Sequence, residues 1–146
     1  MSIFNSFDIS ASGMTAQRFR TDIIMQNIAN ATTTRTEDGT PYRRRIVTFE
    51  EKENTPFSNV LARTSADVVG NGVKVTRVSE DYETEMVKSY DPAHPDADED
   101  GYVTYPNVNI ITEMTNMIDA SRAYEANATA FEASKSMART GLSIGK

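Results

Sequence analysis

The stretch NVNIITEMTNMIDASRAYEANATAFEASKSMARTGL, residues 107–142, decides the fold. Ile110, Met114, Met117, Ser121, Tyr124, Ala128, Phe131, Lys135, Ala138 and Leu142 alternate spacings of four and three, a heptad seam with a charged lapse at Lys135. Ile111, Ile118, Ala123, Ala130 and Met137 add apolar surface beside it. No glycine stands between Gly101 and Gly141 and no proline follows Pro106, so nothing interrupts one long helix. Methionines and aromatics at this spacing point to core or interface packing rather than to a cofactor pocket.

A helix of ~35 residues is about 50 Å long, more than the roughly 40 Å diameter of a compact globule of this size. It needs a companion running beside it, and the other end of the chain supplies one. From about Phe7 to Ala31, Met14, Thr21, Ile24, Ile28 and Ala31 fall on one side of a helix, with Ile9, Ala16 and Ile23 next to them. Arg18, Asp22 and Gln26 mark the polar face. The expected fold class is α+β: an antiparallel, coiled-coil-like pair of long terminal helices with a small β-rich insert. The broad apolar faces of such a pair need partner helices, so the chain should not remain a monomer.

All five prolines lie between Pro41 and Pro106, and the segment they punctuate reads as short strands. Residues 42–49 (YRRRIVTF) and 72–78 (GVKVTRV) are rich in β-branched and aromatic side chains. Gly70-Asn71-Gly72 between Val69 and Val73 is a hairpin signal, and 85–90 (EMVKSY) and 102–105 (YVTY) are further strands. The expected organisation is residues 1–35 for the first helix, 36–105 for the insert, and 106–146 for the second helix.

The insert contains DPAHPDADEDGY at 91–102, where Asp96, Asp98, Asp100 and Gly101 imitate the start of an EF-hand loop. The imitation fails at position 12, which is Asn107 rather than a bidentate glutamate, and Pro92 and Pro95 forbid an entering helix. Residues 91–101 are expected to be a solvated acidic turn with no metal site.

Composition excludes other classes. The 146 residues contain no cysteine, so there is no disulfide frame, thiolate nucleophile or zinc–cysteine site. A net charge of −6 argues against a general nucleic-acid binder, and Arg43-Arg44-Arg45 reads as an exposed edge or salt-bridge surface. No apolar run approaches the ~20 residues of a membrane span. The opening MSIFNSFDISASGM lacks the basic and continuous apolar regions of a secretory signal peptide. The one histidine, His94, stands between prolines in a loop, and no serine or aspartate has the setting of a triad, so no enzyme is expected and no catalytic residue is assigned.

At both ends the sequence resembles the flagellar rod and hook axial protein family. MTAQRFRTDIIMQNIANATTTRT (Met14–Thr36), centred on Asn27-Ile28-Ala29-Asn30 and Thr32-Thr33-Thr34, is similar to its N-terminal signature. PNVNIITEMTNMIDASRAYEANATAFEASKSM (Pro106–Met137), centred on Ser121-Arg122-Ala123-Tyr124-Glu125-Ala126-Asn127, is similar to its C-terminal signature. YDPAHPDADEDGYVTYPNVN (Tyr90–Asn109) narrows the resemblance to the proximal-rod members, whose sister subunits lack His94–Asp98. The chain departs from the family in having Gln26-Asn27 for a usual pair of asparagines, and Gly13 where a larger residue is expected. Residues 50–70 carry no resemblance.

The resemblance implies a structural subunit of the proximal rod of the bacterial flagellar basal body, a periplasm-crossing drive shaft that transmits torque. It implies export through the flagellar type III apparatus without a cleaved signal peptide. Its implied partners are the rod proteins FlgB, FlgF and FlgG and the rod–ring adaptor FliE, with no cofactor, nucleic acid or membrane insertion. The alternatives are another axial protein, such as a sister proximal-rod subunit or adaptor, or an unrelated helical secreted protein, which would not explain both terminal signatures. The expected assembly interface is Met14, Ile24, Asn27, Ile28 and Asn30 on the first helix, with Ile110, Met114, Met117, Tyr124, Phe131 and Leu142 on the second.

Overall fold

The computed structural model describes residues 3–52 and 70–144. Helix α1 spans Ile3–Ala29 and helix α2 spans Ile110–Ile144. Between them in sequence lie strands β1 (Arg45–Glu51), β2 (Val73–Glu80), β3 (Val87–Tyr90) and β4 (Tyr102–Tyr105). Among the described residues β1 pairs with β2 and β3 with β4, giving two two-stranded sheets. The α+β class stands, with the long helices at the two ends of the chain. The hairpin expected after Val69 lies partly outside the described residues, as does most of 50–70. Among described residues no helix is long and apolar enough to cross a membrane.

The chain divides into two compact units, each drawing on both helices. One comprises Met1–Phe19, Thr48–Arg77 and Ala120–Lys146. Here the rings of Phe7 and Phe131 meet at 5.0 Å, and Gly13 lies against Asn127. As numbers rise along α1 they fall along α2, so the helices run antiparallel. Beside that ring pair the buried residues of the two helices in this unit are small: Ser10, Ala16 and Ala120. β2 is fastened to α1 by one side chain. The Ser12 hydroxyl donates to the Ile9 carbonyl at 2.7 Å and accepts the Val73 N–H at 3.0 Å. Gly72, at φ +90°, sits so close to Ser12 and Ile9 that no Cβ fits there.

The second unit comprises Arg20–Val47 and Val78–Asp119. β3 and β4 pair antiparallel from Val87↔Tyr105 to Tyr90↔Tyr102, and this last pair brings two rings to 5.3 Å. The acidic turn joins the two strands. Its Asp98 carboxylate accepts the backbone N–H groups of Asp100 and Tyr102, and Gly101 takes the positive φ that closes the turn. Asp96 points elsewhere, accepting the Thr34 hydroxyl at 2.8 Å with Arg35 at 3.7 Å.

α1 ends before the threonine run, without a left-handed asparagine. Among described residues no non-glycine has positive φ. Instead Asn30 donates its amide to the Gln26 carbonyl and accepts the Thr33 hydroxyl, while the Tyr42 N–H takes the Thr33 carbonyl. The Gln26 carbonyl is met by the Asn30 amide and the Ile28 carbonyl by the Ala31 N–H, so the helix closes without the strained conformation.

Candidate functional site

The most elaborate arrangement in the second unit is a buried polar node at the end of α1 and the start of α2. Asn27 stands on the inward side of α1 and is 1% exposed. Its amide donates to the Arg45 carbonyl at 2.9 Å and to Glu113 Oε2 at 3.0 Å. Its carbonyl oxygen accepts the Tyr42 hydroxyl and the Arg45 N–H, both at 2.9 Å. All the bonding capacity of this side chain is used within the chain.

Glu113, also 1% exposed, is the anionic centre. Oε1 accepts Arg44 Nε at 2.9 Å and Nη2 at 2.7 Å, a fork that only arginine can offer, and the Asn116 amide at 3.2 Å. Arg44 reaches Asp81 with its remaining nitrogen at 3.4 Å. Asn107 ties the backbone together: its oxygen accepts the Arg44 N–H, and its amide donates to the Asp81 and Thr84 carbonyls. Asn109 caps α2 by accepting the Ile111 and Thr112 N–H groups.

The electrostatics follow from these bonds. The Thr84 backbone N–H, with the Thr84 hydroxyl, the Glu83 N–H and Arg44, holds the Asp81 carboxyl below the usual carboxylate range despite its burial. Burial pushes the Tyr42 phenol up, against the pull of Arg45. Tyr82, under the Arg43 guanidinium at 4.2 Å, is raised by the bond it donates to Glu80. Such a node fixes geometry. Its carboxylates face arginines and amides rather than an open position for a reacting atom.

The residues expected at an assembly interface are distributed as follows. In the second unit Ile24 and Asn27 are buried, Ile28, Asn30 and Met117 are half-buried, and Ile110 and Met114 are exposed. In the first unit Met14 and Phe131 are half-buried, while Tyr124 and Leu142 are exposed. Of these, Asn27 enters the polar node and Phe131 meets Phe7. The line that α2 buries in its own chain runs through Glu113, Asn116, Ala120, Ala123, Asn127 and Ser134, with Met117 and Phe131 half-buried beside it and other large apolar residues one step further round the helix. Those large residues form an outward arc in the second unit: Ile110, Ile111, Met114 and Ile118 are all exposed, Ile111 by 78%.

The sequence reading missed Glu113 and Asp81, met Tyr42 only as a strand residue and Asn107 only as a failed calcium ligand, and gave Arg44 as part of an exposed edge or salt-bridge surface; Arg44 does form salt bridges, with Glu113 and Asp81. One signal was available: Glu113 precedes Ala120 and Asn127 at heptad intervals, so a carboxylate shares a line with small residues. Among described residues no three histidine, cysteine or acidic side chains could together hold a metal ion.

Comparison with known proteins gives a consistent picture. A family model described as flagellar basal body rod FlgEFG protein C-terminal matches residues 99–144. The flagellar basal-body rod protein FlgC of Borreliella burgdorferi is 45% identical over 99% of this chain and 98% of its own length. FlgC of Bacillus subtilis is 41% identical and FlgC of Escherichia coli O6:H1 is 36% identical, each over the full length of both chains.

Proposed function

The chain belongs to the family of flagellar basal-body rod proteins named FlgC, and we propose that it builds the rod through the outward faces of its helices. It is a structural subunit of the flagellar basal body. The finer reading is a proximal-rod subunit that crosses the periplasm, transmits torque and leaves the cell through the type III export apparatus without a cleaved signal peptide. FlgB, FlgF, FlgG and FliE are its proposed neighbours, and no catalysis is part of this role.

The exposed arc Ile110, Ile111, Met114 and Ile118 carries the reading. Four large apolar residues on one side of a helix are not left in water without a partner surface. Tyr124 and Leu142 extend the outward apolar surface in the other unit. Asn27 and Ile24 serve the interface indirectly, by holding the helices whose faces make it.

Met114→Asp and Tyr124→Asp test this. Both positions are exposed, so the substitutions leave the chain foldable while placing a charge in a subunit contact, at a cost of several kcal/mol when unpaired. Loss of swimming with the protein still made and exported, and rods absent from purified basal bodies, is the expected result. Normal swimming with intact basal bodies in both variants would remove these faces from the assembly.

A further inference from the structure

We infer that the pairing of Asn27 with Glu113, closed by Arg44 on the same carboxylate, sets the register of α1 against α2. Elsewhere the described contacts between the helices, Phe7 with Phe131 and Gly13 with Asn127, pair uncharged side chains. At heptad intervals from Glu113, α2 presents Ala120, Asn127 and Ser134 on its inward line. Opposite, α1 contributes Gly13 and Ala16. Sliding one helix by seven residues parts the Phe7–Phe131 and Gly13–Asn127 pairs, but it leaves no charged group buried without a partner there.

At Glu113 the matching is chemical. A one-heptad shift brings Ala120 opposite Asn27, and no oxygen of Ala120's side chain replaces the carboxylate. The Asn27 amide would then lack its acceptor at 3.0 Å, and the Arg44 fork would lose both of its bonds to Oε1. Buried donors without acceptors are costly, whereas apolar residues of similar volume in all three places would leave nothing unsatisfied in any register. The node therefore acts by penalising the wrong pairings, as a single buried polar residue does in a coiled coil.

The chain has no cysteine, so register can be read by engineered pairs. From the Asn27–Glu113 contact, four residues back along α1 and four onward along α2 bring Ile23 and Met117 together in the native register. One heptad away, Ile23 meets Tyr124. The full-length monomer is oxidised at high dilution with either Ile23→Cys/Met117→Cys or Ile23→Cys/Tyr124→Cys. With the node intact only the first pair should close. With Asn27→Leu, Arg44→Met and Glu113→Leu together, and circular dichroism still helical, both pairs should close in comparable yield. Closure of the native pair alone in that background overturns the proposal, since packing or the connections would then set the register. A milder background, Asn27→Leu with Glu113→Met, leaves Arg44 on Asp81 and supplies the same comparison if the triple change is not helical. Loss of helix in both backgrounds also overturns it, because the node would then hold the fold together rather than select among pairings.

Discussion

The carboxamide of Asn127 occupies the space that a β-carbon on residue 13 would need. An ideal Cβ there would lie 2.6 Å from Oδ1, 2.9 Å from Cγ and 3.1 Å from Nδ2 of Asn127. That carboxamide is itself held, donating to the Ala123 carbonyl at 2.7 Å. Gly13 thus has a local role: it leaves room for the asparagine.

Two effects of opposite sign meet in Gly13→Ala. Alanine favours a helix interior over glycine by about 0.5–1 kcal/mol. Against this, the whole carboxamide must move and lose a bond worth about 1 kcal/mol, with strain added. Gly13→Ala alone should lower the midpoint of urea unfolding. In an Asn127→Ala background the same change should raise it. Equal shifts in both backgrounds would show that the two residues do not interact.

Glu113→Gln should be among the most damaging small changes. It keeps the shape but removes the charge and turns one of the two acceptor oxygens into a donor, which must face either Asn27 or Arg44. Breaking a buried ion pair by removing one partner costs about 3–5 kcal/mol. Because Arg44 is 25% exposed, we expect about 2–4 kcal/mol here. The apolar replacement of Asn27, Arg44 and Glu113 together should cost less than this single change. Denaturant titration of the three proteins decides the order.

Stability should fall in acid partly through Asp81. Its folded pKa is depressed, so folding favours the ionised carboxyl. That contribution is complete above the unfolded value of about 3.9 and disappears as pH falls through the lower folded value. Between pH 5 and pH 2, unfolding free energy should drop more steeply in the wild type than in Asp81→Asn. Parallel curves would contradict the assignment.

Tyr42 governs the alkaline side with the opposite sense. Burial raises its pKa, so folding favours the neutral phenol, which donates to Asn27. The contribution is complete below the unfolded value of about 10 and is lost as pH rises through the higher folded one. Tyr42→Phe should cost about 1 kcal/mol at neutral pH and flatten the decline above pH 10. Asn27 keeps the Arg45 N–H in that variant, so the node should survive.

Order along α2 should be uneven in the isolated subunit. Glu113 is tied by several bonds, whereas from Lys135 onward nearly every side chain is exposed, Leu142 by 77%. Amides of residues 139–144 should exchange fast in dilute monomer and slowly in assembled rods, while those near Asn27 and Glu113 stay protected in both. Uniform protection along α2 of a verified monomer would mean that the helix needs no neighbours.

The sequence by itself determined the elements and their class. Long stretches without glycine, 14–38 and 102–140, and a 3–4 apolar rhythm read as long helices, and prolines and β-branched runs read as a punctuated insert. The strand at Tyr102–Tyr105 was legible to the residue, because Gly101 and Pro106 bracket it. What the tertiary structure alone decided is which side of α2 faces its own chain. Periodicity weighs apolar residues, and four large ones, Ile110, Ile111, Met114 and Ile118, lie outward while Phe131 meets Phe7. The inward line is small and polar because the helices approach closely, at Gly13 against Asn127 and at Asn27 against Glu113. A carboxylate on that line has no recognisable period of its own. Its meaning depends on Arg44, which is 69 positions away in sequence, and distance in sequence carries no signal of contact until the chain has folded.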